Sequence, residues 1–120
     1  MEKKTKEIGD FGEKIATDYL RKKGYVFLDR NYSCRFGEID IIMLDDTTTV
    51  FVEVKTRKST SYGYASEFVD YRKQERIRKT CISYTRSEDV DMRFDIVEVY
   101  YKMAGGELQA TEINHIENAF

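Results

Sequence analysis

The sequence predicts an α/β fold: a three-layer sandwich with a mixed central sheet and flanking helices, in the order αβββαββ. Three observations point there. Two stretches repeat apolar residues at helical spacing, one near the N-terminus and one in the second half of the chain. Between them lies a β-hairpin, two β-branched apolar arms joined by a short polar link. A further apolar strand follows the second helix. A strand, helix and strand in succession require a right-handed crossover, which lays that strand parallel to a hairpin arm.

The first helix is expected from Thr5 to Lys23. Ile8, Phe11, Ile15 and Tyr19 recur at helical steps beside Gly12 and Ala16, and Gly24 closes the element. Glu13 falls on the margin of this stripe, where an arbitrary glutamate is a solvated helix carboxylate. Tyr25 to Asn31 reads as the first strand, and Tyr32 to Phe36 as a short polar connection. Arg35 in that connection faces either a phosphate or solvent.

The hairpin spans Gly37 to Arg57, and its pattern is broken by charge. Asp40 interrupts one arm, and Glu53 and Lys55 interrupt the other. A carboxylate in a strand that otherwise reads as buried must be desolvated and stays only with a partner or a metal. Loop length decides whether these groups meet. A four-residue turn, Asp45–Thr48, pairs Leu44 with Thr49 and sets Asp40 opposite Glu53. Opposed residues share a face, and Lys55 lies two residues on along that face. One more loop residue would turn Asp40 to the other side.

Two carboxylates and an ammonium on one side of a hairpin form a chemical unit. Asp40 and Glu53 offer hard oxygen ligands suited to Mg²⁺. Lys55 can orient a nucleophilic water or stabilise charge developing on a phosphorane. The bland alternative is a surface hairpin whose Glu53 and Lys55 meet only solvent. Ile39, Ile41, Val52 and Val54 argue against it, because they require at least one buried face.

Beyond the hairpin, Lys58 to Ser66 is loop-like and holds Tyr62 and Tyr64 beside a basic cluster of Lys55, Arg57 and Lys58. Aromatics among cations suit stacking on unpaired bases, and equally a loop packing its own rings. The second helix is expected from Glu67 to Arg86, with Val69, Ile77, Cys81 and Tyr84 on its stripe. It carries Arg72, Lys73, Arg76, Arg78 and Lys79, a local basic surface able to hold phosphates. Lys73 falls within the stripe, where a lysine snorkels at the core's edge. Met92 to Tyr101 is the next strand, in which Asp95 is expected to pair with a nearby Arg or Lys. Gly105 and Gly106 turn the chain into a short strand near Glu107–Thr111. The tail Ile113–Phe120 is expected to pack down Ile116 and Phe120.

Composition bounds the function. The chain has 120 residues, 41% apolar and 35% charged, which suits one folded domain. No apolar run approaches a membrane span and the N-terminus has no apolar signal region, so a cytoplasmic protein is expected. Cys34 and Cys81 lack metal-ligand spacing and read as free thiols. His115 is the only histidine, which excludes a histidine-built zinc site. A net charge of −2 weighs against general nucleic-acid affinity but leaves room for the local basic surface.

Asp40, with Glu53-x-Lys55 on the next strand, resembles the PD-(D/E)xK nuclease signature. The wider sequence is similar to the YraN-like family of small bacterial proteins, themselves similar to archaeal Holliday-junction resolvases. The matching residues are Gly12-Glu13 with Ala16 and Leu20, Asn31, Gly37-Glu38-Ile39-Asp40 and Phe51-Val52-Glu53-Val54-Lys55-x-Arg57. Gly63, Lys73, Arg93-Phe94-Asp95 and Asn118-Ala119-Phe120 continue them across almost the whole chain. The signature's proline is missing, since Glu38-Ile39 precede Asp40.

The resemblance implies a restriction-endonuclease-like core and a Mg²⁺- or Mn²⁺-dependent nuclease acting on DNA, branched or single-stranded. Asp40 and Glu53 would hold the metal, Glu13 would complete the catalytic set and Lys55 would position water. Lys73 becomes an auxiliary residue; Arg35, Arg57, Lys58 and Arg76, read from the local basic charge and not from the resemblance, are the further candidate phosphate contacts. A resolvase-like enzyme also implies a homodimer, because a four-way junction needs two matched cuts. The alternative is a catalytically silent nucleic-acid-binding or adaptor module on the same scaffold. Such a module has no physical need to keep Asp40, Glu53 and Lys55 together.

Overall fold

A computed structural model describes residues 5–59 and 70–120. The expectations for Tyr62, Gly63 and Tyr64, and for a second helix beginning at Glu67, lie outside the described residues. The elements run α1 (Thr5–Lys22), β1 (Val26–Cys34), β2 (Gly37–Asp45), β3 (Thr48–Lys58), α2 (Tyr71–Thr85), β4 (Met92–Ala104) and β5 (Glu107–Ile116).

Strand alternation sorts the apolar residues into two cores. Ile41, Met43, Val50, Val52, Val97 and Val99 pack on one face against Ala16 and Leu20 of α1. Ile42, Phe51, Phe94 and Ile96 pack on the other against Ile77 and Cys81 of α2. The sheet therefore reads as near-continuous apolar runs in its middle strands, because both faces are covered. Its order is β1-β2-β3-β4-β5. All neighbours are antiparallel except β3 and β4, which are parallel and joined through α2. This is the mixed sheet with a crossover expected from the sequence.

The hairpin turn is tighter than the four-residue loop expected. Asp45 pairs with Thr48, so Asp46 and Thr47 alone form the turn, with Asp46 at φ 55°. A two-residue turn wants positive φ at its centre, which aspartate tolerates. The shortening adds one pair at the end and leaves the register intact: Leu44 still pairs with Thr49.

Other boundaries shift for similar reasons. The connection expected at Tyr32–Phe36 is mostly strand, because β1 pairs with β2 as far as Cys34 opposite Gly37. Only Arg35 and Phe36 are left to turn. β5 runs on to Ile116 along β4 instead of stopping near Thr111. Ile116 and Phe120 pack on the α2-side core as expected. The Asp70 side chain caps α2 by accepting the Lys73 N–H at 2.9 Å, and Arg86 closes the helix in a left-handed conformation.

Candidate functional site

The hairpin loses its regular pairing at Asp40. The β2–β3 ladder ends at Ile41 opposite Val52. Ile39 and Ile41, two residues apart, pack into cores on opposite faces of the sheet. Two-residue alternation forbids this in a straight strand, so β2 rotates at Asp40. On the neighbouring strand Asn31 takes φ 54° and falls between the Arg30–Ile41 and Tyr32–Ile39 pairs. Asp40 Oδ2 then accepts the Val54 N–H at 2.8 Å, replacing a backbone carbonyl.

Glu53 and Lys55 follow Phe51 by alternation and so point to the α2 side. Lys55 Nζ lies 2.8 Å from Glu53 Oε1, and Lys73 Nζ reaches the same oxygen from α2 at 3.4 Å. The Asp70 cap fixes the first turn of α2 and with it the origin of Lys73. Glu38, Asp40, Glu53, Lys55 and Lys73 line one cleft of about 360 Å³ whose floor includes Ile77 and Phe94. Asp40, Glu53, Lys55 and Lys73 thus share one cleft, although the ladder ends before the expected pairing of Asp40 with Glu53.

Burial, opposed by the Val54 hydrogen bond, pushes the Asp40 carboxyl from its ordinary 3.8 up to about 6; Glu13, Glu53 and Glu38 add their repulsion. Glu13 thus lies within electrostatic reach of the cleft. It is held by Arg30, whose guanidinium donates to Glu13 Oε1 at 2.9 Å. The helix that carries it comes very close to the sheet at the residue before: a Cβ on Gly12 would overlap the Thr56 side chain.

The basic residues divide. Arg57 lies on the cleft face, two residues beyond Lys55, and its Nε stands 3.3 Å from Glu98 Oε2. Lys58 is exposed and falls on the opposite face by alternation. Arg35 is exposed in the β1–β2 turn and stacks on Phe36, with its guanidinium 4.7 Å from the ring centre. Arg76 is exposed on α2. None of the four lines the cleft itself.

Glu98 was not singled out by the sequence reading. It sits in β4 between Val97 and Val99 and is 1% exposed. The signal was available, since a glutamate inside an apolar run is what marked Glu53. A second buried network surrounds Asp95, which pairs with Arg93 as expected. It also binds His115 Nε2 at 2.8 Å and the Asn118 N–H at 2.9 Å. Asp95 is on the α1 side by alternation and ties the C-terminal segment to β4.

Among the described residues no group of three or more His, Cys, Asp or Glu side chains converges as a metal cage. Mg²⁺ uses one or two carboxylates and fills its remaining positions with water and phosphate oxygens. Asp40 and Glu53, lining one cleft, fit such an ion; they do not fit a closed structural zinc site. No described helix is long and apolar enough to cross a membrane.

Residues 12–99 match Uncharacterised protein family UPF0102. Among curated relatives, a UPF0102 protein of Caldanaerobacter subterraneus subsp. tengcongensis is 48% identical over 118 residues, 96% of this chain and 95% of the relative. One from Caldicellulosiruptor bescii is 48% identical over 119 residues, covering 96% and 98%. One from Alkaliphilus oremlandii is 47% identical over 120 residues, with the same coverage. The match takes in Glu13, the hairpin and its charges, Lys73 and β4 through Val99, so the chain belongs to the UPF0102 family, the YraN-like proteins.

Proposed function

We propose that this protein is a Mg²⁺- or Mn²⁺-dependent endonuclease that hydrolyses DNA phosphodiester bonds on a restriction-endonuclease-like scaffold, with branched or single-stranded DNA as its substrate. The observation that carries this reading is the meeting of Asp40, Glu53, Lys55 and Lys73 in one cleft, with Asp40 pushed up to about 6. A carboxylate perturbed by burial and charged neighbours in a cleft is a candidate functional group.

Asp40 and Glu53 would hold the ion, and the β2 rotation at Asp40 serves to bring the two together. When bound, a divalent cation neutralises phosphate charge and makes water a better nucleophile. Lys55 directs a hydrogen-bond donor at the attacking water and stabilises negative charge as it develops. Lys73 screens Glu53 and faces the incoming phosphate from α2. Glu13 completes the carboxylate set from α1, and Arg57 meets the strand on the far side of Lys55.

The test is cleavage of linear duplex, single-stranded and four-way-junction DNA with Mg²⁺ or Mn²⁺. Wild type should cut at least one of them. Asp40→Asn and Lys55→Ala should lose that activity while remaining folded. Equal cleavage by wild type and Asp40→Asn would contradict the site. One observation favours a silent binding module instead: Glu53 is already neutralised by Lys55 and Lys73, so its charge is satisfied without metal. That reading predicts DNA binding with no metal-dependent cutting.

A further inference from the structure

Glu98 is a buried carboxylate within the apolar run of β4. Val97 and Val99 pack on the α1 side, so Glu98 projects to the cleft side of β4. The parallel register sets it beside Lys55, and the antiparallel register sets it beside Asn114 of β5. Its Oε1 accepts from Asn114 Nδ2 at 2.7 Å. Its Oε2 is buried and receives no hydrogen bond among the described residues, although Arg57 Nε stands 3.3 Å away. A buried carboxylate with one unsatisfied oxygen is costly, and an apolar residue in its place is often neutral or stabilising. The cost calls for a use.

We propose that Glu98, steadied by Asn114, is a positioning residue that holds the Arg57 guanidinium as the phosphate clamp beside the cleft. This inference rests on the nuclease reading and deepens it. The ion pair draws the Nε side of the guanidinium inward, and a guanidinium so held can present its fork to a phosphate. Arg57 is 26% exposed, within reach of a ligand yet backed by buried charge. Lys58, on the opposite face, has no buried carboxylate beside it among the described residues. The clamp then lies two residues beyond Lys55, on the strand that carries the water-directing group, and so sets where a bound strand enters the cleft.

The experiment is a double-mutant cycle read by fluorescence anisotropy. Labelled single-stranded and four-way-junction DNA are titrated with wild type, Arg57→Ala, Glu98→Gln, Asn114→Ala and the Glu98→Gln/Arg57→Ala pair. Ca²⁺ replaces Mg²⁺, and the salt concentration is varied. Arg57→Ala should flatten the salt dependence by one phosphate contact, a slope change of about 0.7 to 0.9. Glu98→Gln should weaken binding several-fold and flatten the slope in the same direction. It should have no further effect once Arg57 is alanine.

Asn114 is exposed, so Asn114→Ala keeps the fold and should show a smaller loss of the same kind. It carries the test if Glu98→Gln does not fold. Tighter binding by Glu98→Gln, an additive loss in the pair or unchanged slopes would overturn the clamp. Wild type that cuts DNA, with Glu98→Gln behaving identically, overturns this inference alone. Wild type that neither binds nor cuts any of the DNAs overturns the nuclease reading and the clamp with it.

Discussion

The Asp40 carboxylate accepts the backbone N–H of Val54 at 2.8 Å, so one acid both binds the sheet together and lines the cleft. A side chain can take over a ladder bond only where the strand has rotated away. The rotation and the half-buried acid are thus one feature. It makes the site's stability depend on pH.

Asp40 weakens the fold as pH rises. The carboxyl has its ordinary 3.8 in the unfolded chain and about 6 in the fold, so the fold favours its protonated form. Its ionisation costs the fold nothing below about pH 4, a growing amount as pH rises to about 6, and a constant amount above. At about 1.4 kcal/mol per pH unit the ceiling is near 3 kcal/mol, lowered by solvent at this half-buried position. Asp40→Asn keeps an acceptor for Val54 and removes the charge. Its Tm should exceed wild type at pH 8, with the gap closing by pH 4 in metal-free buffer.

Gly12 governs how closely α1 lies on β3. Alanine is the better helix former, yet here its Cβ would strike the Thr56 side chain. Gly12→Ala should cost about 1–3 kcal/mol in denaturant unfolding, as overpacked contacts do. Thr56→Ala in the same chain should recover most of that loss.

Asp95 should behave in the opposite way to Asp40. Burial pushes its carboxyl up, but hydrogen bonds from His115, Arg93 and the Asn118 N–H outweigh burial and hold it below its ordinary value. Its stabilisation is therefore present above about pH 4 and is lost as pH falls further. Asp95→Ala leaves Arg93 and His115 without their buried partner and should cost about 3–5 kcal/mol by urea unfolding at pH 7. A loss under 1 kcal/mol would contradict the network.

Lys73 occupies a Glu53 oxygen that a metal would also use. Lys73→Met should tighten Mn²⁺ binding up to about fivefold, the scale of a half-exposed ion pair, while weakening DNA binding. The opposed directions separate a site lysine from a snorkelling one, which would move neither quantity.

Much of this arrangement was legible in the chain, and the limits have physical causes. Alternation in the hairpin fixes which residues share a face, so the pairing of Leu44 with Thr49 followed from the sequence despite a turn of the wrong length. The crossover through α2 made β3 and β4 parallel. The rotation at Asp40 was not legible, because it depends on Asn31 and on a side-chain bond to Val54 that no local pattern records. The extra length of β1 and β5 comes from partner strands. Polar residues such as Tyr32 and Asn114 did not read as strand until a neighbour supplied hydrogen bonds. Glu98 carried a readable signal in its apolar run, but its partners Arg57 and Asn114 come from two other strands.

The measurement that bears most directly on the account is a calorimetric titration of Mn²⁺ into wild type and into Asp40→Asn. The account predicts saturable binding by wild type that is lost in the variant, whose folding remains intact or improves. Equal affinity in the two proteins, or no binding by wild type, would contradict a metal held between Asp40 and Glu53.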